Sequence, residues 1–190
     1  METLLETTDT SGLLGTVVTP YDSFDCNTVL LTLNSEVESE MDIVKKVRDY
    51  GKKETNFIES TDVDVPDLLH QTPALCLGVN LDYIVQSFSI TDLSLMLFSR
   101  GVTKHDLRSK HVVEKLCGFM FLDTKNSKKE RSIYVNLICT SRGFGSKLLK
   151  YAEDISVKLN YNRVTLRSLE GPLGFYLKKG YQLKNIKGSP

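Results

Sequence analysis

The chain has 190 residues, 41% of them hydrophobic, and balances 24 Lys/Arg against 24 Asp/Glu. That length and apolar content suit one core-bearing domain, or one domain plus an arm, and exclude a chain too polar to fold. The zero net charge hides a division, because residues 1–100 hold 6 basic and 17 acidic side chains (−11) and residues 101–190 hold 18 and 7 (+11). An acidic half attracts a cationic ligand and a basic half an anionic one, unless the two halves only attract each other within one fold.

Cys26, Cys76, Cys117 and Cys139 form no Cys-x-x-Cys pair and no metal-ligand spacing with His70, His105 or His111. The expectation is four free thiols in a reducing compartment rather than a disulfide framework. Glu2, Glu6 and Asp9 stand where a signal peptide would be basic. The most apolar run, Leu81–Phe98, is broken by Asp82, Gln86 and Asp92, so it does not span a bilayer. A soluble, cytoplasmic protein is expected.

In chain order, residues 1–27 are rich in Thr, Ser, Asp and Gly and read as a flexible or extended amino-terminal arm, with the domain proper over residues 28–190. Thr28–Leu33 reads as a first strand. A helix follows from about Ser35 to Tyr50, with Glu36 and Glu38 early, lysines late and Gly51 as its stop. Pro66 marks a short helix with Asp67–His70, and Leu93–Phe98 reads as a strand that ends at Arg100-Gly101. Leu116–Leu122 and the alternating run Ser132–Cys139 form an antiparallel hairpin around the charged tip Asp123–Glu130. Phe144, Leu148, Ala152, Ile155 and Leu159 recur at helical spacing, with Leu149 on the same face and Asp154 and Lys158 on the wet side. Arg163–Ser168 is a further strand, Leu173–Lys179 a last helix closed by Gly180, and a short strand starts at Tyr181.

The centre of this pattern is the turn Thr140-Ser141-Arg142-Gly143-Phe144-Gly145-Ser146, between a strand and a long helix. First-turn amides lack intrahelical partners and the dipole's positive end faces out, so the turn suits a phosphate. A P-loop needs Gly-Lys-Ser/Thr, whereas Gly145 is followed by Ser146-Lys147. The dinucleotide fingerprint needs a third glycine where Leu148 stands.

The succession of hairpin, glycine turn, long helix, strand and short helix with Phe175-Tyr176-Leu177-Lys178-Lys179-Gly180-Tyr181 resembles the GNAT superfamily of N-acetyltransferases. The family's coenzyme-A motif, Gln/Arg-x-x-Gly-x-Gly/Ala followed by leucines, is matched at Gly143, Gly145, Leu148 and Leu149. Its aromatic-Tyr-x-x-x-Gly-aromatic motif is matched at Phe175, Tyr176, Gly180 and Tyr181. The resemblance covers about Leu116 to Lys184, and Leu137–Thr140 also looks like members encoded by large DNA viruses. It implies an α/β (α+β) fold with a mixed, mostly antiparallel central sheet flanked by helices. Three departures stand out. The Gln/Arg position falls on Thr140, the strand before the turn lacks the frequent glutamate, and Pro190 leaves little room for the family's last strand. Either that strand is missing or another segment, such as the amino-terminal arm, fills its place.

By the resemblance, acetyl-CoA is the cofactor. Backbone groups at Leu137, Ile138 and Cys139 hold pantetheine and polarise the thioester, and Arg142, Gly143, Phe144, Gly145, Ser146 and Lys147 hold the phosphates. An acceptor amine near pKa 10.4 is neutral in about one molecule in a few thousand at neutral pH, so a base is useful. Glu170 and Glu130 are the available acids, and Tyr176 matches the family's proton donor to the departing thiolate. Cys139 has no histidine placed to make it a nucleophile. The implied activity is acetyl transfer by direct attack of a primary amine, with the acidic half favouring a polyamine, a lysine side chain or another small or peptide amine. The alternative is a structural or interaction module, such as a virion-associated component, docked to a protein partner or a second copy through the arm. A nucleic-acid role lacks any reader motif.

Overall fold

A computed structural model describes residues 2–6, 26–33, 41–54, 56–59, 63–71, 75–76, 79–124, 131–141 and 144–183. Side chains are described for these except at 2–6, 41–44, 53–54, 56, 167–173 and 183. The fold is mixed α and β. Its strands are β1 (Glu2–Glu6), β2 (Cys26–Leu33), β3 (Asn56–Glu59), β4 (Leu93–Ser99), β5 (Leu116–Asp123), β6 (Ser132–Thr140), β7 (Arg163–Leu169) and β8 (Gln182–Leu183). Its helices are α1 (Met41–Glu54), α2 (Val65–His70), α3 (Leu81–Ile90), α4 (Gly145–Lys158) and α5 (Glu170–Lys178). The strands form one sheet in the order β3-β2-β4-β5-β6-β7-β1-β8. Among the described strands only β2–β3 and β6–β7 pair in parallel.

Both faces of the central strands are buried, because side chains alternate between two apolar layers. Val29, Leu31, Leu95, Leu97, Met120 and Leu122 share one cluster with α1 and α4. Leu30, Met96, Phe98, Phe119 and Phe121 share the other with α2 and α3. The strand β4, written Leu-Ser-Leu-Met-Leu-Phe-Ser, therefore stays out of water on both sides up to Phe98.

The α1 helix does not stop at Gly51 but continues to Glu54. A Cβ at Gly51 would stand 2.5 Å from the Phe57 ring, so the glycine admits β3 against the helix rather than ending it. Phe57 then packs edge-on between Tyr50 and Tyr151 at 5.6 Å each, and Arg48 clamps the Glu59 carboxylate through two guanidinium nitrogens. The start expected at Ser35, the hairpin tip and residues 7–25 of the arm lie outside the described residues.

At the other end of the sheet β1 lies between β7 and β8, antiparallel to both. The chain's first strand thus occupies the interior slot that β7 and β8 leave between them, with α5 crossing over it. The four cysteines are not free thiols. Cys26 pairs with Cys117 and Cys76 with Cys139, with Cα atoms 6.5 Å and 5.3 Å apart. Separations of 91 and 63 residues hide such pairing from any local pattern.

Candidate functional site

The strands β6 and β7 start side by side and then part. Their parallel ladder runs only from Ser132–Arg163 to Val135–Leu166, although β6 continues to Thr140 and β7 to Leu169. The parting coincides with a bulge, since Phe121 faces Leu137 and Leu122 faces Val135, leaving Asn136 unopposed. A bulge bends its strand and raises the local twist. Beyond it, among the described residues, the β7-facing edge of Leu137–Thr140 has no strand on it and the buried Asn136 Nδ2 has no hydrogen-bond partner. The parting leaves backbone groups of this edge, and one side-chain amide, without a strand partner among the described residues.

Past this edge β6 leads to α4. The Ser141 amide and hydroxyl both donate to the Cys117 carbonyl, at 2.8 Å and 3.1 Å, which fixes the exit of the strand. Phe144 is the N-cap and no described side chain caps the helix; the first helical bond joins the Leu148 amide to the Phe144 carbonyl at 3.3 Å. The first turn therefore carries the positive end of the helix dipole. A Cβ at Gly145 would lie 3.3 Å from Phe175 Cζ and 3.6 Å from Thr140 Oγ1, so the bare glycine lets the α5 aromatic rest on that turn.

Gly180, at φ 93°, ends α5 in a Schellman turn: its amide donates to Leu177 and the Tyr181 amide to Tyr176, at 3.2 Å and 3.1 Å. That geometry sets Tyr181 beside Tyr176, with ring centroids 6.0 Å apart. Tyr176 is 7% exposed and joins the cluster shared with α4. Burial pushes its hydroxyl up to about 12, so it keeps its proton at neutral pH.

Of the residues expected at a site, Leu137, Ile138 and Cys139 line the β6 edge, and Phe144, Gly145, Ser146 and Lys147 lie at the start of α4. Cys139 is buried and disulfide-bonded, which removes it as a thiol. The Lys147 ammonium donates to the Cys26 carbonyl of β2 at 2.6 Å, tying the helix to that strand. Arg142, Gly143 and Glu130 lie outside the described residues, and Glu170 opens α5 with its side chain outside them. Asp154 is not simply on a wet face, since it accepts a hydrogen bond from Tyr50 at 2.8 Å.

Sequence reasoning missed two residues here. Asn136 shows no signal, because a bulge depends on the register of the neighbouring strand. Glu153 stands four residues after Leu149, on the inner side of α4, and an acid at a helix's apolar spacing was a legible sign. Burial, first of all, pushes its carboxyl up to about 7.

No family model matches the chain, and no curated protein does. Among solved structures, the crystal structure of a functionally unknown conserved protein from Staphylococcus epidermidis ATCC 12228 is similar, with a TM-score of 0.43 and 12% identity over 97% of this chain. The chain spans 59% of that protein's length.

Proposed function

We propose that the chain is an acetyl-CoA-dependent N-acetyltransferase of the GNAT type, acting on a primary amine such as a polyamine or a lysine side chain. The observation that carries this reading is the parallel β6–β7 pair opening just past Val135, beside the uncapped start of α4 and the aromatics of α5. The interior position of β1 supports it too, because the amino-terminal arm is one of the segments expected to fill a strand position of the family.

The residues fit a coenzyme with an anionic end and an amide-bearing arm. The first turn of α4 at Gly145 and Ser146 suits the diphosphate, and the unpaired edge of Leu137, Ile138 and Cys139 suits the pantetheine amides. Acetyl-CoA, when bound, supplies an acyl group activated as a thioester. With the coenzyme bound, backbone groups of β6 at Leu137, Ile138 and Cys139 would polarise the thioester carbonyl, an effect that typically amounts to several kcal/mol. Tyr176 keeps a proton on Oη at neutral pH and would donate it in a hydrogen bond to the departing sulfur.

A second reading, a structural or interaction module on the same fold, is favoured by two contacts. Lys147 binds a backbone carbonyl rather than standing open, and Tyr176 is buried as a packing residue would be. One experiment separates the two. The full chain is titrated with acetyl-CoA and assayed for CoA release with a panel of amines. Turnover that falls about 10- to 100-fold in Tyr176→Phe, with coenzyme Kd unchanged, is the expected result. No binding at millimolar coenzyme overturns the enzyme and leaves the module.

A further inference from the structure

The α4 helix carries an acid that the acyl-transfer reading leaves without a task. Glu153 is 5% exposed, halfway along the helix and beside the apolar cluster of Leu149, Ala152 and Tyr176. Burying a carboxyl there is costly unless it is paired. Its Oε1 accepts a hydrogen bond from the Tyr181 hydroxyl at 3.4 Å. Tyr181 is itself 2% exposed and is set against Tyr176 by the turn at Gly180. Three buried polar side chains therefore run Glu153, Tyr181, Tyr176, from α4 across to α5. A leucine would fill the same volume without the desolvation cost, so packing alone gives no reason for an acid.

We propose that Glu153, acting through Tyr181, is a positioning residue that fixes the orientation of the Tyr176 ring during acyl transfer. The inference rests on the acetyltransferase reading and adds a residue to it.

The groups acting on Glu153 are Lys150 and Asp154 of α4, Lys179 at the end of α5, and Tyr181 before β8. Burial outweighs the Tyr181 hydrogen bond and the two lysines, with Asp154 adding to it, so the carboxyl titrates near neutrality. Its charged form accepts the stronger hydrogen bond from Tyr181. Tightening of the Tyr181 contact therefore follows pH upward through about 7.

The test is steady-state CoA release by the full chain from pH 5.5 to 8.5, with an amine found active in the panel. Tyr181→Phe removes the hydroxyl and keeps the ring; Glu153→Leu removes the acceptor; Glu153→Gln keeps an acceptor that does not titrate. Tyr181→Phe and Glu153→Leu should each lower kcat by roughly tenfold, with coenzyme Kd within about twofold and no further loss in the double variant. Glu153→Gln should recover most of that kcat and lose the inflection near pH 7 seen in the parent chain. If Tyr181→Phe and Glu153→Gln both reproduce the parent's kcat and pH profile, the positioning role is overturned while the acetyltransferase stands. A parent chain that neither binds acetyl-CoA nor releases CoA overturns both readings.

Discussion

Replacing Glu153 by Gln should stabilise the protein above neutral pH. The carboxyl's folded value is lifted from 4.5 to about 7, chiefly by burial. A group lifted this way holds a proton in the native state that the unfolded state has already released. Stability therefore falls as pH rises from about 4.5 to about 7 and is flat above that window. At ~1.4 kcal/mol per pKa unit, the full shift is worth about 3 kcal/mol. Partial hydration of the carboxyl and the nearby lysines argue for about 1–2 kcal/mol in practice. The glutamine is neutral throughout and still accepts from Tyr181, so it escapes this loss. Urea unfolding with the disulfides intact, at pH 4, 5, 6, 7 and 8, should show the variant close to the parent at pH 4 and exceeding it by that amount at pH 8. The difference between the two proteins isolates one group from all others that titrate. Parallel pH dependences for the two would refute the claim that Glu153 is buried in a setting hostile to its charge, and would remove the reason to look for a task that keeps it there.

Two further outcomes follow from the fold. Gly51→Ala puts a methyl 2.5 Å from the Phe57 ring, so a loss of about 1–3 kcal/mol is expected by urea unfolding, opposite in sign to the gain of about 1 kcal/mol that alanine ordinarily brings at a helical glycine. An unchanged midpoint would mean that β3 does not pack on α1 as described. The denatured, unreduced chain should expose no thiol to a colorimetric thiol reagent and four after reduction. Four reactive thiols before reduction would restore the free-cysteine reading.

The elements that were legible beforehand are those whose signals are local. The hairpin of β5 and β6, α4, β7 and the Gly180 stop all read from periodicity or from a single glycine's backbone freedom. The strand β3 and the helix α3 were missed. β3 has only four residues, too few to show alternation, and α3 lies within an apolar run shared with β4. Expected site residues at Leu137–Cys139 and Phe144–Lys147 did fall on one strand edge and one helix start, because adjacency in sequence across a tight turn is adjacency in space.

By itself the sequence determined a strand followed closely by a helix, and two aromatics bracketing Gly180, since each rests on interactions within a few residues. Only the tertiary structure decided that β6 and β7 part after Val135, that β1 enters the sheet between β7 and β8, and which cysteines pair. It also decided that Glu153 meets Tyr181 and that Gly51 makes room for Phe57. Each of these depends on register or contact between segments far apart in the chain, which no local period encodes.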